Sequence, residues 1–261
     1  MTRQSILPFV RLGTSVRVQG VIAVFSLLLC CCSCASVYVS SVRNAPLMTG
    51  RGEFQGSASF GNGANVNAAY ALTDHLGITA GGMYANNRAQ NLNNTYRRHQ
   101  SAEVALGYFA HNNKISYETF VGYGAGRGYA QDSVFGFFFF ANTQRTSEAG
   151  YHKYFIQPTF AFRPKRFLLA VTLRITYVEF KDIRVMTDNG NPSVLQNKYS
   201  YVFEPCFTAK YFLTEKSKSM FVFAQAGFNV ADQTEDVDFN LPFFMPHYNL
   251  GIGIRLSKGD P

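Results

Sequence analysis

The sequence predicts an all-β fold: an antiparallel up-and-down transmembrane β-barrel of about ten strands, with eight or twelve the neighbouring solutions, after a signal peptide and a short tether. Three observations predict it. Apolar and polar residues alternate with period two through some ten segments of about ten residues, the length a tilted membrane strand needs. The connections between them alternate between tight turns and long polar loops. The chain opens on a basic, then apolar, then small-residue leader.

The leader comes first in the chain. Residues 1–33 contain Arg3, Arg11 and Arg17 and no acidic residue, then the apolar run Val21 to Leu29, then small residues. About nine apolar residues cannot cross a bilayer as a helix, which takes roughly 20, so the run is a signal-peptide h-region. Cys30, Cys31, Cys32 and Cys34 crowd its end, and the remaining cysteine is Cys206. Adjacent thiols cannot converge on a tetrahedral metal, and a disulfide framework lacks partners. The run Leu28, Leu29, Cys30, Cys31, Cys32, Ser33, Cys34 resembles the lipobox of bacterial lipoproteins. That resemblance implies cleavage after Ser33 and acylation of Cys34, with Cys30, Cys31 and Cys32 as the other acceptors.

Residues 34–51 mix Ser, Val, Asn, Pro and Gly in no period and read as a periplasmic tether. Residues 52–261 read as the barrel, with strands near 52–60, 64–72, 76–86, 98–110, 115–130, 151–162, 167–180, 199–212, 219–231 and 244–257. In the first, Phe54, Gly56, Ala58 and Phe60 oppose Gln55, Ser57 and Ser59; in the last, Tyr248, Leu250, Ile252 and Ile254 oppose Asn249, Gly251 and Gly253. The polar faces are mostly small residues. Tyr70, Tyr84, Tyr108, Tyr117, Tyr123, Tyr177, Tyr201, Tyr211 and Tyr248 mark the ends of the apolar faces, as an aromatic girdle requires. A soluble β-sandwich also alternates, but it does not place tyrosine and small residues in this way.

Tight connections at Thr73–His75, His111–Lys114, Arg163–Arg166 and Thr214–Ser219 alternate with long ones at Asn87–Arg97, Asp132–Gly150, Asp182–Lys198 and Asp232–Phe243. Outer-membrane barrels carry their long loops outside the cell. Gly61–Gly63 departs from this, as a short turn on the outer side. An even strand number puts both chain ends in the periplasm, where the tether leads.

Tyr38, Asn44, Pro46, Leu47, Gly52, Glu53 and Phe54, then Ala69, Tyr70, Ala71, Thr73, Asp74, His75 and Gly77, resemble uncharacterised outer-membrane β-barrel lipoproteins of Bacteroidetes. The resemblance covers chiefly the first 90 residues and implies a barrel in the bacterial outer membrane. It implies no activity, because fold does not supply function.

The net charge is +8 with 15% charged residues, yet no Lys or Arg cluster is dense enough for nucleic acid. Basic residues at the turns fit anionic head groups, making outer-membrane lipid and lipopolysaccharide the expected partners of a monomer without cofactor or metal. Glu103, Glu118, Arg174, Glu204, Lys210 and Arg255 fall on polar faces and form a lumen charge cluster. Charges of both signs in a narrow interior pair or meet water. The cluster supports a side-chain-filled barrel with a structural or interaction role at the cell surface, with small-solute transport or binding as the alternative.

His99, Ser101 and Glu103 share one strand face and resemble the His-x-Ser of outer-membrane lipid A deacylases, a remote hydrolase alternative to the non-enzymatic reading. Glu103 marks that face as luminal, whereas those enzymes use the lipid-facing side. The apolar run Val134 to Asn142 either extends a hairpin or leaves a patch for a surface ligand within residues 132–150. His75, His111, His152 and His247 are too scattered for a metal site and read as turn or interface residues.

Overall fold

In the computed structural model the described residues are 37–88, 96–112, 114–135, 142–164, 166–187, 193–195, 198–213, 219–232 and 244–257. The strands are β1 Phe54–Gly61, β2 Ala64–Ala71, β3 Leu76–Arg88, β4 Tyr96–His111, β5 Ile115–Phe135, β6 Asn142–Phe162, β7 Phe167–Thr187, β8 Ser193–Leu195, β9 Lys198–Phe212, β10 Met220–Ala231 and β11 Phe244–Leu256. Ten of them pair antiparallel in chain order, and β1 pairs with β11, so the sheet closes on itself. The short β8 lies beside the end of β7 and stays outside the ring.

Side chains decide where the chain turns. Thr73 Oγ1 accepts the His75 and Leu76 amides at 3.2 and 2.8 Å, and Asn112 Oδ1 accepts those of Lys114 and Ile115 at 2.9 and 2.7 Å. These side-chain caps make both short turns compact. Between turns the period-two alternation sorts the faces: Val104, Leu106 and Tyr108 point outward, while Glu103, Ala105 and Phe109 are buried inside.

Outside, two aromatic belts bracket an apolar band. Tyr123, Tyr154, Tyr177 and Tyr201 stand side by side on β5, β6, β7 and β9, with neighbouring ring centroids 5.3 to 6.5 Å apart. Tyr117 with Phe160, and Phe167 with Tyr211, form the second belt near the short-turn end. From Phe167 to Tyr177 the strand rises about 33 Å along itself, or about 25 Å along the barrel axis at the usual tilt, matching a bilayer's apolar layer.

The wall is uneven. β1 and β2 have 8 residues each and stop level with Tyr84 and Tyr248, joined by Asn62 and Gly63. β5, β6 and β7 have 21 residues each and continue well past the tyrosine belt. Much of Asp132–Gly150 and part of Asp182–Lys198, expected as loops, are therefore strand, with β6 starting at Asn142 and β7 ending at Thr187. The physical reason is that the faces exchange character above the band. There Val178, Phe180, Ile183 and Val185 point inward, while Arg127, Glu148 and Arg184 point outward to water. A bulge absorbs the change in phase, with Asp182 at φ 53° between the Glu148–Arg184 and Gly150–Lys181 pairs. Phe135 pairs with Asn142 at the tip, so the ends of the Val134 to Asn142 run extend the hairpin, while residues 136–141 lie outside the described residues.

The largest departure from the sequence expectation is at residues 37–48. Expected as a tether below the barrel, this segment is a strap inside it, buried almost throughout. Val37 and Tyr38 pack among Ala130, Ala149, Tyr151 and Phe180 at the long-connection end. Val39 meets Met83 and Ala85, level with the β1–β2 turn. Val42 and Leu47 reach Ala161, Leu168, Phe212 and Phe221, and Met48 reaches Ala71 and Phe109 at the short-turn end. The strap thus runs the length of the lumen, from Val37 at the long-connection end to Met48 at the short-turn end. Leu47, at φ 55°, begins the reversal into β1. Small inward residues on β1, β2 and β3 leave the room that the strap fills.

Candidate functional site

The strap has no strand partner, so its backbone polar groups need other partners in a buried lumen. Wall side chains supply them. Asn65 Oδ1 accepts the Val42 amide at 3.1 Å, and Gln225 clasps Arg43, accepting its N–H at 2.9 Å and donating to its C=O at 3.1 Å. Gln157 Nε2 donates to the Asn44 carbonyl at 2.8 Å, and Lys210 Nζ to that of Ala45 at 2.6 Å. Glu118 Oε2 accepts the Leu47 amide at 2.8 Å, and Arg163 donates to the Leu47 carbonyl. These contacts come from β2, β5, β6, β9 and β10 and from the β6–β7 turn, so the strap is held from around the ring.

Charges form three layers along it. Nearest the long-connection end, Glu204 pairs with Arg43 at 3.0 Å and accepts the Tyr38 and Ser40 hydroxyls at 2.8 and 2.9 Å. In the middle, Glu103 takes both Arg174 nitrogens at 3.0 and 3.2 Å, Lys153 Nζ at 2.6 Å and the Ser41 hydroxyl at 2.8 Å. The Arg174 guanidinium also donates to Gln157 at 2.8 Å and lies 4.3 Å from the Phe155 ring centroid. At the short-turn end, Arg255 pairs with Glu53 at 3.1 Å and donates to Thr49 Oγ1 at 2.6 Å.

All six charges of the expected cluster face the lumen. Glu103 and Arg174 meet directly, whereas Glu118, Glu204 and Lys210 hold the strap and Arg255 meets Glu53. Lys153, Arg43 and Glu53 are the partners that sequence reasoning missed. Lys153 shares the inward face of β6 with Tyr151, Phe155 and Gln157, so the alternation already placed it. Arg43 and Glu53 carried no periodic signal.

The hydrolase trio does not assemble. His99 Nε2 lies 2.8 Å from the Tyr151 hydroxyl on the luminal side, while Glu103 is taken up by Arg174 and Lys153. Nor are all the histidines turn residues: His247 is buried on the inward face of β11, while His152 and His75 stack on Tyr123 and Tyr108. Among the described residues no three His, Cys, Asp or Glu gather at metal-binding distance.

The strap, the tyrosine belts and the closed ring invite comparison with solved barrels. The outer membrane protease OmpT from Escherichia coli is similar at 13% identity and a TM-score of 0.50, over 78% of this chain and 93% of that one. The fold is that of a bacterial outer-membrane β-barrel. The translocator domain of the autotransporter NalP from Neisseria meningitidis aligns over 92% of this chain and 96% of its own, at 11% identity and a TM-score of 0.45. The N-terminal barrel domain of Pseudomonas aeruginosa OprF aligns over 80% of this chain at 9% identity and a TM-score of 0.30. No protein-family model and no curated protein matches the chain. At these identities the barrel likeness is one of fold and carries no activity.

Proposed function

We propose that this barrel resides in the bacterial outer membrane as a closed, lipid-anchored monomer with a structural or interaction role at the cell surface, and without catalysis. One observation carries the closed state: wall side chains pin the strap backbone from Val42 to Leu47. In a planar bilayer the purified protein should give no unitary conductance steps. Stable steps of porin size would overturn the closed reading.

A second reading has its own support. Removing the strap would leave a polar wall of Glu103, Lys153, Gln157, Arg174, Glu204, Lys210 and Gln225, suited to a small hydrophilic solute. Deleting residues 37–48 should then produce conductance where the full chain gives none. A silent deletion variant that still forms a heat-modifiable barrel would remove transport from consideration.

The lipid anchor rests on the lipobox resemblance, and Cys34 lies outside the described residues. In this reading the Cys34 thiol forms a thioether to the diacylglyceryl group of a membrane phospholipid, whose phosphorylated head group leaves with the thiol proton. Labelled palmitate should enter the wild type, and Cys34→Ala should abolish it. The tyrosine belts and Arg127 supply contacts to surrounding lipid and lipopolysaccharide. The hairpin within residues 132–150 is the candidate site for a surface ligand.

A further inference from the structure

Above the tyrosine belt the outer wall carries a recess that the lumen and its strap do not use. It lies mainly on β4 and β5, has a volume of about 350 Å³, and is bordered by Tyr96, Arg98, Gln100, Arg127, Tyr129 and Glu148. The register makes the hollow. Gln100 stands opposite Arg127 and Arg98 opposite Tyr129, while the next outward pair toward the membrane is Ala102 with Ala125. On β6 the residue opposite Arg127 is Gly150, which has no side chain. Small residues on two sides leave the Arg127 side chain standing over open wall, and 63% of it is exposed.

Two guanidinium groups share this recess with one carboxylate. Glu148 takes Arg127 at 2.7 Å, which fixes the guanidinium while most of it stays exposed. Arg98 is the diagonal neighbour of Arg127 on the same outward face and meets no carboxylate among the described residues. Diagonal cross-strand positions lie about 7 to 8 Å apart, so two long side chains can close on one group between them. A phosphate suits that place, because its oxygens accept the paired donors of a guanidinium. Farther from the membrane, Tyr96 and Tyr129 meet edge to face with centroids 5.6 Å apart. An aromatic face beside a phosphate site suits the C–H face of a sugar ring. Arg127 lies four residues beyond Tyr123 on β5, about 13 Å along the strand and about 10 Å along the barrel axis. That is head-group depth, just outside the apolar band.

We propose that this recess is a binding site for the phosphorylated sugar head group of lipopolysaccharide: Arg98 and Arg127 hold one phosphate, Tyr96 and Tyr129 border the sugar, and Glu148 positions Arg127. The ligand belongs to the membrane, since a head group at that depth is kept there by its own acyl chains against the apolar band below. The inference rests on outer-membrane residence, and it gives the anionic lipid one specific place on the wall in addition to general contact around the belt.

Native mass spectrometry of the purified barrel in detergent tests it, with bis-phosphorylated lipid A as the probe and dephosphorylated lipid A as the acyl-matched control. The wild type should retain the phosphorylated form, and Arg98→Gln/Arg127→Gln should weaken that retention about tenfold or more. Arg98→Gln alone, with a smaller loss, is the second variant should the pair misfold. Arg51→Gln/Lys114→Gln removes two exposed charges at the short-turn end and should leave binding unchanged. An equal loss there would show that net charge alone attracts the lipid, and would overturn the site. Equal retention of dephosphorylated lipid A, or equal retention by the wild type and the recess variant, would overturn it too. Glucosamine 1-phosphate, a free sugar phosphate, should not displace lipid A; displacement would move the ligand from the membrane to solution and defeat the proposal. Sucrose-gradient fractionation separates the site from residence. A wild type found in the outer-membrane fraction that binds no lipid A defeats the site alone, whereas absence from that fraction defeats residence and this inference with it.

Discussion

Arg43 and Glu204 join strap to wall through an ion pair that is fully buried on both sides. A buried carboxylate keeps its charge through its partners, here Arg43 and the hydroxyls of Tyr38 and Ser40. Arg43→Met removes the one cation of that set and leaves two neutral donors. The expected cost is about 3 to 5 kcal/mol, read as a lower unfolding temperature in detergent. The double variant Arg43→Met/Glu204→Met should recover most of it, because no charge is then stranded. Strict additivity of the two single changes would mean that water already screens the pair. Glu103 is different, because Arg174 and Lys153 both serve it. Lys153→Met should therefore lower the unfolding temperature less than Arg174→Met, which removes a bidentate contact, the Gln157 bond and the Phe155 stacking together.

At the scale of the element the strap depends on close approach. A Cβ at Gly128 would overlap the Val37 carbonyl oxygen, a backbone atom with no rotamer to turn aside. Gly128→Ala should thus displace the upper strap and raise leak conductance while barrel strand content, followed by circular dichroism, stays unchanged. Wild-type conductance in that variant would show that the strap is looser at Val37 than its packing implies. The ten barrel strands were legible in sequence because lipid on one side and a filled lumen on the other impose a strict period of two, as in Leu169 to Tyr177. The upper parts of β5, β6 and β7 were harder to read, since their apolar face turns inward above the membrane and the pattern changes sign. The strap was not legible as structure. Its bonds go to residues far along the chain, so Ser40, Ser41, Arg43 and Asn44 leave no local period, only the look of a linker. A signal was present nonetheless: the small inward residues of β1 to β3 left space unfilled.

For the whole molecule, the strap sets an order of events. Apart from the Val42–Asn65 bond, which spans 23 positions, its anchoring bonds named above link residues 62 or more apart, from Ser41 with Glu103 at 62 to Arg43 with Asn229 at 186. Contacts of such separation form late, after the intervening chain has been gathered at an entropic cost. The β1–β11 ladder, Phe54 with Leu256 through Gly61 with Asn249, joins the first strand to the last and seals the ring. Threading afterwards would drag Tyr38 and the Arg43 guanidinium past a finished wall, stripping their water before any partner was in reach. The strap is then better regarded as a template around which the sheet wraps, an internal mandrel made by the chain for its own closure. A peptide of residues 37–48 should therefore silence a strap-deleted barrel when present during refolding, and fail when added to the barrel already formed. Equal silencing in both orders would show a lumen that accepts its core from outside, and would remove the template from the folding route.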